Sequence, residues 1–166
     1  MNFIGNRDQL IKDLRESFDK WKNETNFKPS FEELDEVFYI QDYILASGFV
    51  SPQINRMICG RMRDTFYAWV QQIHSWLIPA PYSLVSRSEH QLFTDEEKKE
   101  LKIILRDFMS LVSLNLEAGL TRDKQKEAEY VDTSLKLWRK HLPSLITFSK
   151  KVREYWQESD KKDKDI

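Results

Sequence analysis

Apolar residues along this chain recur three and four positions apart and strict alternation is absent, so the pattern predicts helices and not half-buried strands. The longest run lies between Ser51 and Leu77, where Ile54, Met57, Ile58, Met62, Phe66, Trp69, Val70, Ile73, Trp76 and Leu77 fall on one side of a helix. Ser51 is placed to cap it by accepting a backbone N–H. Pro52 suits a first helical position, where a missing N–H has no intrahelical partner to lose. At 1.5 Å per residue the helix would span roughly 38 Å, the width of a small domain. It is the expected central helix, over about 52–77.

The same pattern places helices on either side. Asn6 and Gln9 suggest a capped start for a first helix to Lys22, with Leu10, Ile11, Leu14, Phe18 and Trp21 as its stripe. Ser30 and Glu33 form a capping box for a second helix to Ala46, buried through Leu34, Val37, Phe38, Gln41, Ile44 and Leu45 and stopped at Ser47 and Gly48. After the central helix, residues 78–93 read IPAPYSLVSRSEHQLF, with two prolines and no helical period. This stretch is expected to cross over the end of a bundle, packing Tyr82, Leu84, Val85 and Leu92, or to act as a lid on a partner or ligand. Thr94 and Glu97 form another capping box, opening a helix to Ala118 that Gly119 should close. Thr121 then caps a fifth helix, in which Ala128, Val131, Leu135, Trp138 and Leu142 alternate steps of three and four like a coiled-coil seam. Pro143 should kink that helix or begin a sixth over residues 144–157. The fold class expected is all-α, a single-domain helical bundle of five to six mostly antiparallel helices over residues 1–157, followed by a charged, disordered tail at 158–166.

Composition narrows the classes of function. The net charge of −1 provides no global field for nucleic acid or an anionic membrane, but the charge is uneven: residues 1–50 are net −4, residues 51–93 net +2 and residues 94–166 net +1. The region with a clear basic excess therefore holds the central helix. The longest uncharged stretch, Thr65 to Ser86, contains Gln71, Gln72, His74, Pro79 and Pro81, so no membrane span is expected. Cys59 is the one cysteine, which excludes an internal disulfide and suits a cytoplasmic, reducing location. It falls on the apolar side of the central helix, as a small buried hydrophobe would. Aromatic residues at 13%, five of them tryptophan, are expected to fill the core, and a surplus of them would mark a partner surface.

The residues carry no spacing for zinc, di-iron or nucleophilic chemistry: His74, His90 and His141 lie far apart, and no Cys-x-x-Cys, glycine-rich phosphate loop or G-x-S-x-G elbow occurs. No catalytic residue, resident metal or cofactor is expected. Glu32, Glu33 and Glu36 read E-E-x-x-E. This resembles the first half of the magnesium motif in all-α nucleoside triphosphate pyrophosphatases of the MazG type, and the resemblance implies a magnesium-dependent hydrolase. The family continues with E-x-x-D on the next helix, whereas the only such tetrad downstream of Glu36 is Glu129 to Asp132, about ninety residues on. Acidic residues in a helix's first turn also complement its dipole without any metal.

A second candidate lies on the central helix. Projected at 100° per residue, Arg56, Arg63, Tyr67 and His74 form a narrow strip opposite the apolar side, suited to holding a phosphate and stacking on a ring. Gly60 lies beside it, and a mid-helix glycine, costing roughly 1 kcal/mol against alanine, suggests that another backbone approaches there. The alternative is that acids of the second helix cover the arginines. A further basic patch, Lys136, Arg139, Lys140 and His141, is expected at a helix C-terminus, where positive charge complements the dipole. The function expected first is a non-enzymatic protein-interaction module, a small subunit or a homo-oligomer, binding through an aromatic-rich helical surface or the 78–93 loop. The alternative is a nucleic-acid-associated protein using the two basic strips, and the magnesium-dependent hydrolase comes third.

Overall fold

The computed structural model describes residues 3–162, and every regular element among them is an α-helix. In chain order these are α1 (Phe3–Thr25), α2 (Phe31–Phe38), α3 (Ile40–Ser47), α4 (Ile54–Leu77), α5 (Leu84–Leu92), α6 (Asp95–Thr121) and α7 (Lys124–Lys162). Seven helices stand where the pattern predicts five or six, and each difference has a local cause. None of them is long and apolar enough to cross a membrane.

The second predicted helix is two. Its capping box forms as expected, with Ser30 Oγ accepting from Glu33 N and Glu33 Oε2 from Ser30 N. The chain then breaks at Tyr39, which is left-handed at φ 52°. Asp35 closes the break, its carbonyl accepting from Tyr39 N and its side chain from Gln41 N. Phe38 and Ile40 are both fully buried. On an unbroken helix two residues two apart point to opposite sides, so the break is what lets both reach the core. Gly48 closes α3 in the left-handed conformation, as expected.

Three other boundaries move. Asn6 lies inside α1, which starts at Phe3. Ser51 Oγ accepts from Gln53 N in a turn, so Pro52 precedes the first residue of α4. Gly119 does not end α6. The helix runs on to Thr121, whose hydroxyl donates back to the Glu117 carbonyl, and Arg122 takes the left-handed position at φ 53°. Asp123, not Thr121, caps α7 by accepting from Gln125 N and Lys126 N. Pro143 neither ends α7 nor begins a new helix, and α7 continues through it. The three-four seam accordingly extends past Leu142 through Leu145, Ser149 and Val152 to Trp156. Of the stretch expected to be a tail, residues 158–162 belong to α7, and residues 163–166 lie outside the described residues.

The largest departure is α5, within the expected crossover. Ser83 caps it by accepting from Ser86 N. Its buried side chains are Ser86 and Glu89, whereas Tyr82, Leu84 and Val85, expected to pack inward, are exposed. The usual partition is inverted, so no apolar period marked this helix.

Contacts group the chain into two compact units, Met1–Ala68 with Met109–Leu135 (unit 1) and Trp69–Phe108 with Lys136–Ile166 (unit 2), so α4, α6 and α7 each contribute to both. In unit 1 the Phe18 ring meets Trp21, Phe27 and Phe31 edge-on at 5.2–5.8 Å. Each such buried ring contributes about 1.5–3 kcal/mol. Phe38 packs on Phe66, and Ile58, Met62 and Val131 complete that core. Polar ties fix its register: Lys28 N donates to Asp132 Oδ1 (2.7 Å), Arg61 Nε to the Phe38 carbonyl (2.9 Å) and the Tyr130 hydroxyl to the Cys59 carbonyl (3.3 Å).

In unit 2 the core rings include Trp76, Phe93 and Phe148, and Phe108, which meets Trp138 and His141. The first half of α6 and the second half of α7 run antiparallel, tied by Glu97 to Lys151 (2.7 Å), Glu100 to Ser144 and Asp107 to His141 (2.8 Å). The expected box at Thr94 and Glu97 forms here. His141 is therefore buried in the middle of a helix, not at a C-terminus, and its Nε2–H donates to Asp107.

Candidate functional site

The outward side of α4 in unit 1 is open. Arg56 is exposed and donates only to Gln53 Oε1 within its own turn (3.3 Å), while Arg63 pairs with adjacent Asp64 (3.0 Å). The acids of α2 do not cover them, because Glu32 is taken by Arg15 and Glu33 serves the α2 cap. Tyr67 is about half exposed, and His74, also exposed, belongs to the part of α4 in unit 2. The strip is thus at the surface, but it does not act as one site: Arg56 and Arg63 line a common cavity that Tyr67 and His74 do not.

That cavity, of about 380 Å³, adjoins a second of about 660 Å³, and Asn55, Arg56, Ala118, Gly119 and Glu127 line both. Such volumes lie in the range of ligand clefts. The sequence strip missed most of the cations around them. Lys20 of α1, Arg122 at the α6–α7 junction and Lys124 of α7 join Arg56 and Arg63, against the carboxylates of Glu24 and Glu127. Glu127 is held at the base by Trp21 Nε1 and by Asn55 Nδ2 (3.0 Å). Glu24 meets Lys124 at 3.9 Å between exposed side chains, which provides little net attraction. Among the described residues neither Lys20 nor Arg122 has an ion-pair partner.

The cavity floor explains the glycines. A Cβ added to Gly60 or Gly119 would meet nothing within 4 Å, so Gly60 is not there for another backbone of this chain. Both glycines line the smaller cavity, and they were the sequence signal that could have joined α4 to α6. Arg122, which lines the larger cavity, is held in the left-handed region, a conformation that costs a non-glycine residue about 1 kcal/mol or more.

The cleft offers recognition, not a nucleophile. Burial, and after it the charge of Glu127, pushes the Cys59 thiol well above its ordinary pKa. Burial likewise raises the Tyr130 hydroxyl. Both stay protonated at neutral pH. The E-E-x-x-E acids do not gather with the distant tetrad: Asp132 accepts from Lys28 N, Glu36 and Glu129 are exposed, and no three His, Cys, Asp or Glu side chains among the described residues form a metal-ligand set.

Unit 2 contains a different polar centre. Buried Glu89 accepts from the indoles of Trp76 and Trp156, both at 2.9 Å. Beside it His90 Nδ1 lies 2.7 Å from the Trp76 carbonyl, which can only accept, so the proton is on Nδ1 and Nε2 faces Lys98 Nζ at 3.4 Å. Ser86 Oγ completes the centre by accepting from Ala80 N (3.1 Å). These groups are satisfied by one another, as a structural joint requires. Of the expected basic patch, His141 and Lys140 are both engaged by Asp107.

Comparison with protein-family models, curated proteins and solved structures yields no match.

Proposed function

We propose that this chain is a cytoplasmic, non-enzymatic helical interaction module, and that the cleft of unit 1 is where it takes an anionic partner, an acidic protein segment. The observation that carries this reading is the imbalance around the two adjoining cavities. Lys20, Arg56 and Arg122 have no ion-pair partner among the described residues, Arg63 and Lys124 pair only with Asp64 and Glu24 at the surface, and Glu127 is already held by Trp21 and Asn55. Cations left without internal partners add self-repulsion, which a ligand carboxylate removes while forming bidentate bonds to arginine. The glycine floor lets a partner backbone approach closely. Tyr39, Tyr43 and Phe49, exposed elsewhere in unit 1, suit the same kind of surface.

A labelled, unstructured Asp-rich peptide tests this by fluorescence anisotropy at low salt. Binding should weaken at least about tenfold in the Arg56→Glu, Arg63→Glu double variant. No binding by the unaltered chain would overturn the reading. A second reading, nucleic acid, is favoured by the half-exposed Tyr67 ring one turn beyond Arg63. It wins if a single-stranded oligonucleotide of equal charge binds more tightly than the peptide and its affinity falls steeply with salt.

A further inference from the structure

A separate groove lies wholly within unit 2, of about 380 Å³, walled by Trp69 of α4 and by Trp138, Leu142 and Ile146 of α7, with Lys150 and Arg153 toward one end. Along α7 the wall runs from Trp138 to Arg153, roughly 22 Å of helix at 1.5 Å per residue. It borders the three-four seam, whose burial changes along its length. Val131 and Leu135 are buried in unit 1, whereas in unit 2 Leu145 alone is fully buried at the groove, Trp138, Leu142, Ser149 and Val152 remain part-exposed and neighbouring Ile146 is 59% exposed. A seam of this spacing is shaped to accept the side chains of another helix.

Charge identifies what kind of helix. Between residues 133 and 153 α7 carries six Lys or Arg and no Asp or Glu. Lys140 and Lys151 are engaged by Asp107 and Glu97, but Lys150 meets only Glu154 of its own helix, at 3.7 Å, and Arg153 is exposed. A second copy laid groove to groove would bring the same cations against these. An apolar ligand without charge would leave them unanswered. We infer that the groove is a docking site for an amphipathic helix of another protein, with apolar residues at three-four spacing and carboxylates flanking them where it passes Lys150 and Arg153.

The test uses the full chain and a synthetic peptide of about twenty residues, with leucines at three-four spacing and glutamates on the flanks, beside a twin in which lysines replace the glutamates. The glutamate peptide should bind one to one by calorimetry and gain helical circular dichroism on mixing, and the lysine twin should not bind. Ile146→Glu and Arg153→Glu each change an exposed side chain, so the thermal midpoint should stay unchanged while affinity falls about tenfold or more. Arg56→Glu in unit 1 should leave this affinity unaltered. The inference fails if the glutamate peptide does not bind, if both peptides bind alike, or if Arg56→Glu abolishes binding and Ile146→Glu does not. It also fails if the chain is a dimer that Ile146→Glu converts to a monomer, since the groove then belongs to a second copy.

Discussion

Units 1 and 2 draw on the same three long helices, yet they place their charges differently. In unit 2 carboxylates of α6 meet cations or hydroxyls of α7 at Glu97, Glu100 and Asp107, and Glu89 joins two tryptophans. Charge there is used up in holding helices to each other. In unit 1 aromatic rings gather into one cluster, and of the five cations around the cleft Lys20, Arg56 and Arg122 have no ion-pair partner among the described residues, while Arg63 and Lys124 meet Asp64 and Glu24. The difference teaches that net charge alone says little about function. What matters is which charges the fold neutralises and which it leaves at a cavity.

The largest effect should come from cutting the polar joint of unit 2. Glu89→Ala strands two indole N–H groups, one of them on Trp76 in the core, and should cost about 3 kcal/mol in a urea titration followed by tryptophan fluorescence. Glu127→Ala, at the base of the unit 1 cleft, should cost only about 1 kcal/mol because Trp21 and Asn55, which it abandons, line the cleft and water there can take the carboxylate's place. Equal losses would break the contrast between the units.

Acid should act on the same contrast. Burial alone would raise the carboxyls of Asp107 and Glu97. Hydrogen bonds outweigh it, from His141, Lys140 and Arg106 on the first and from Lys151 and Thr94 on the second, and both sit below their ordinary 3.8 and 4.5. A carboxylate whose folded pKa is depressed stabilises the fold above its unfolded pKa, and that contribution is lost as pH falls through the folded value. Unfolding midpoints should therefore hold from pH 7 to about 5 and drop below about 4. Asp107→Asn should lower stability at pH 7 by about 1–2 kcal/mol and flatten the acid drop. In unit 1 the Glu32 carboxyl is lowered chiefly by its bond from Arg15, but it is exposed to solvent, so Glu32→Gln should leave the profile where it was.

Smaller changes separate binding from stability in unit 1. Arg63→Glu alone should reduce affinity for an acidic peptide several-fold while moving the unfolding midpoint within the error of the titration. Gly60→Ala and Gly119→Ala each have open space for the new methyl group and should stabilise by about 0.5–1 kcal/mol in thermal melts. Both should weaken peptide binding by shrinking the cleft. A gain in stability with binding intact would remove the glycines from the site.

Local patterns were legible wherever the signal and its consequence lie a few residues apart. The capping boxes at Ser30 and Thr94, the glycine stop at Gly48 and the apolar stripe of α4 are of this kind. The misreadings share a different cause. Gly119 looked like a helix stop, but the left-handed residue is Arg122, and no local rule favours arginine there. α5 escaped notice because its inner side chains are polar and satisfied by distant partners, Trp76 and Trp156. Pro143 looked like a break because its missing N–H is a local cost, whereas α7 is held on both sides of it by contacts to α6 through Asp107 and Glu97. At the cleft, Arg56 and Arg63 were legible as a strip on one helix. Lys20, Arg122 and Lys124 were not, since they come from elements far apart in sequence.

The chain by itself determined that it is all-helical, where α2 and α6 begin, and which side of α4 faces inward, because hydrogen-bonded turns and apolar spacing act within about four residues. Only the tertiary structure decided which charges remain free, which polar side chains go inside, and that two glycines on separate helices share one cavity. Those outcomes depend on solvent exclusion and pairing between residues as distant as Trp21 and Glu127, and no local pattern encodes such pairs.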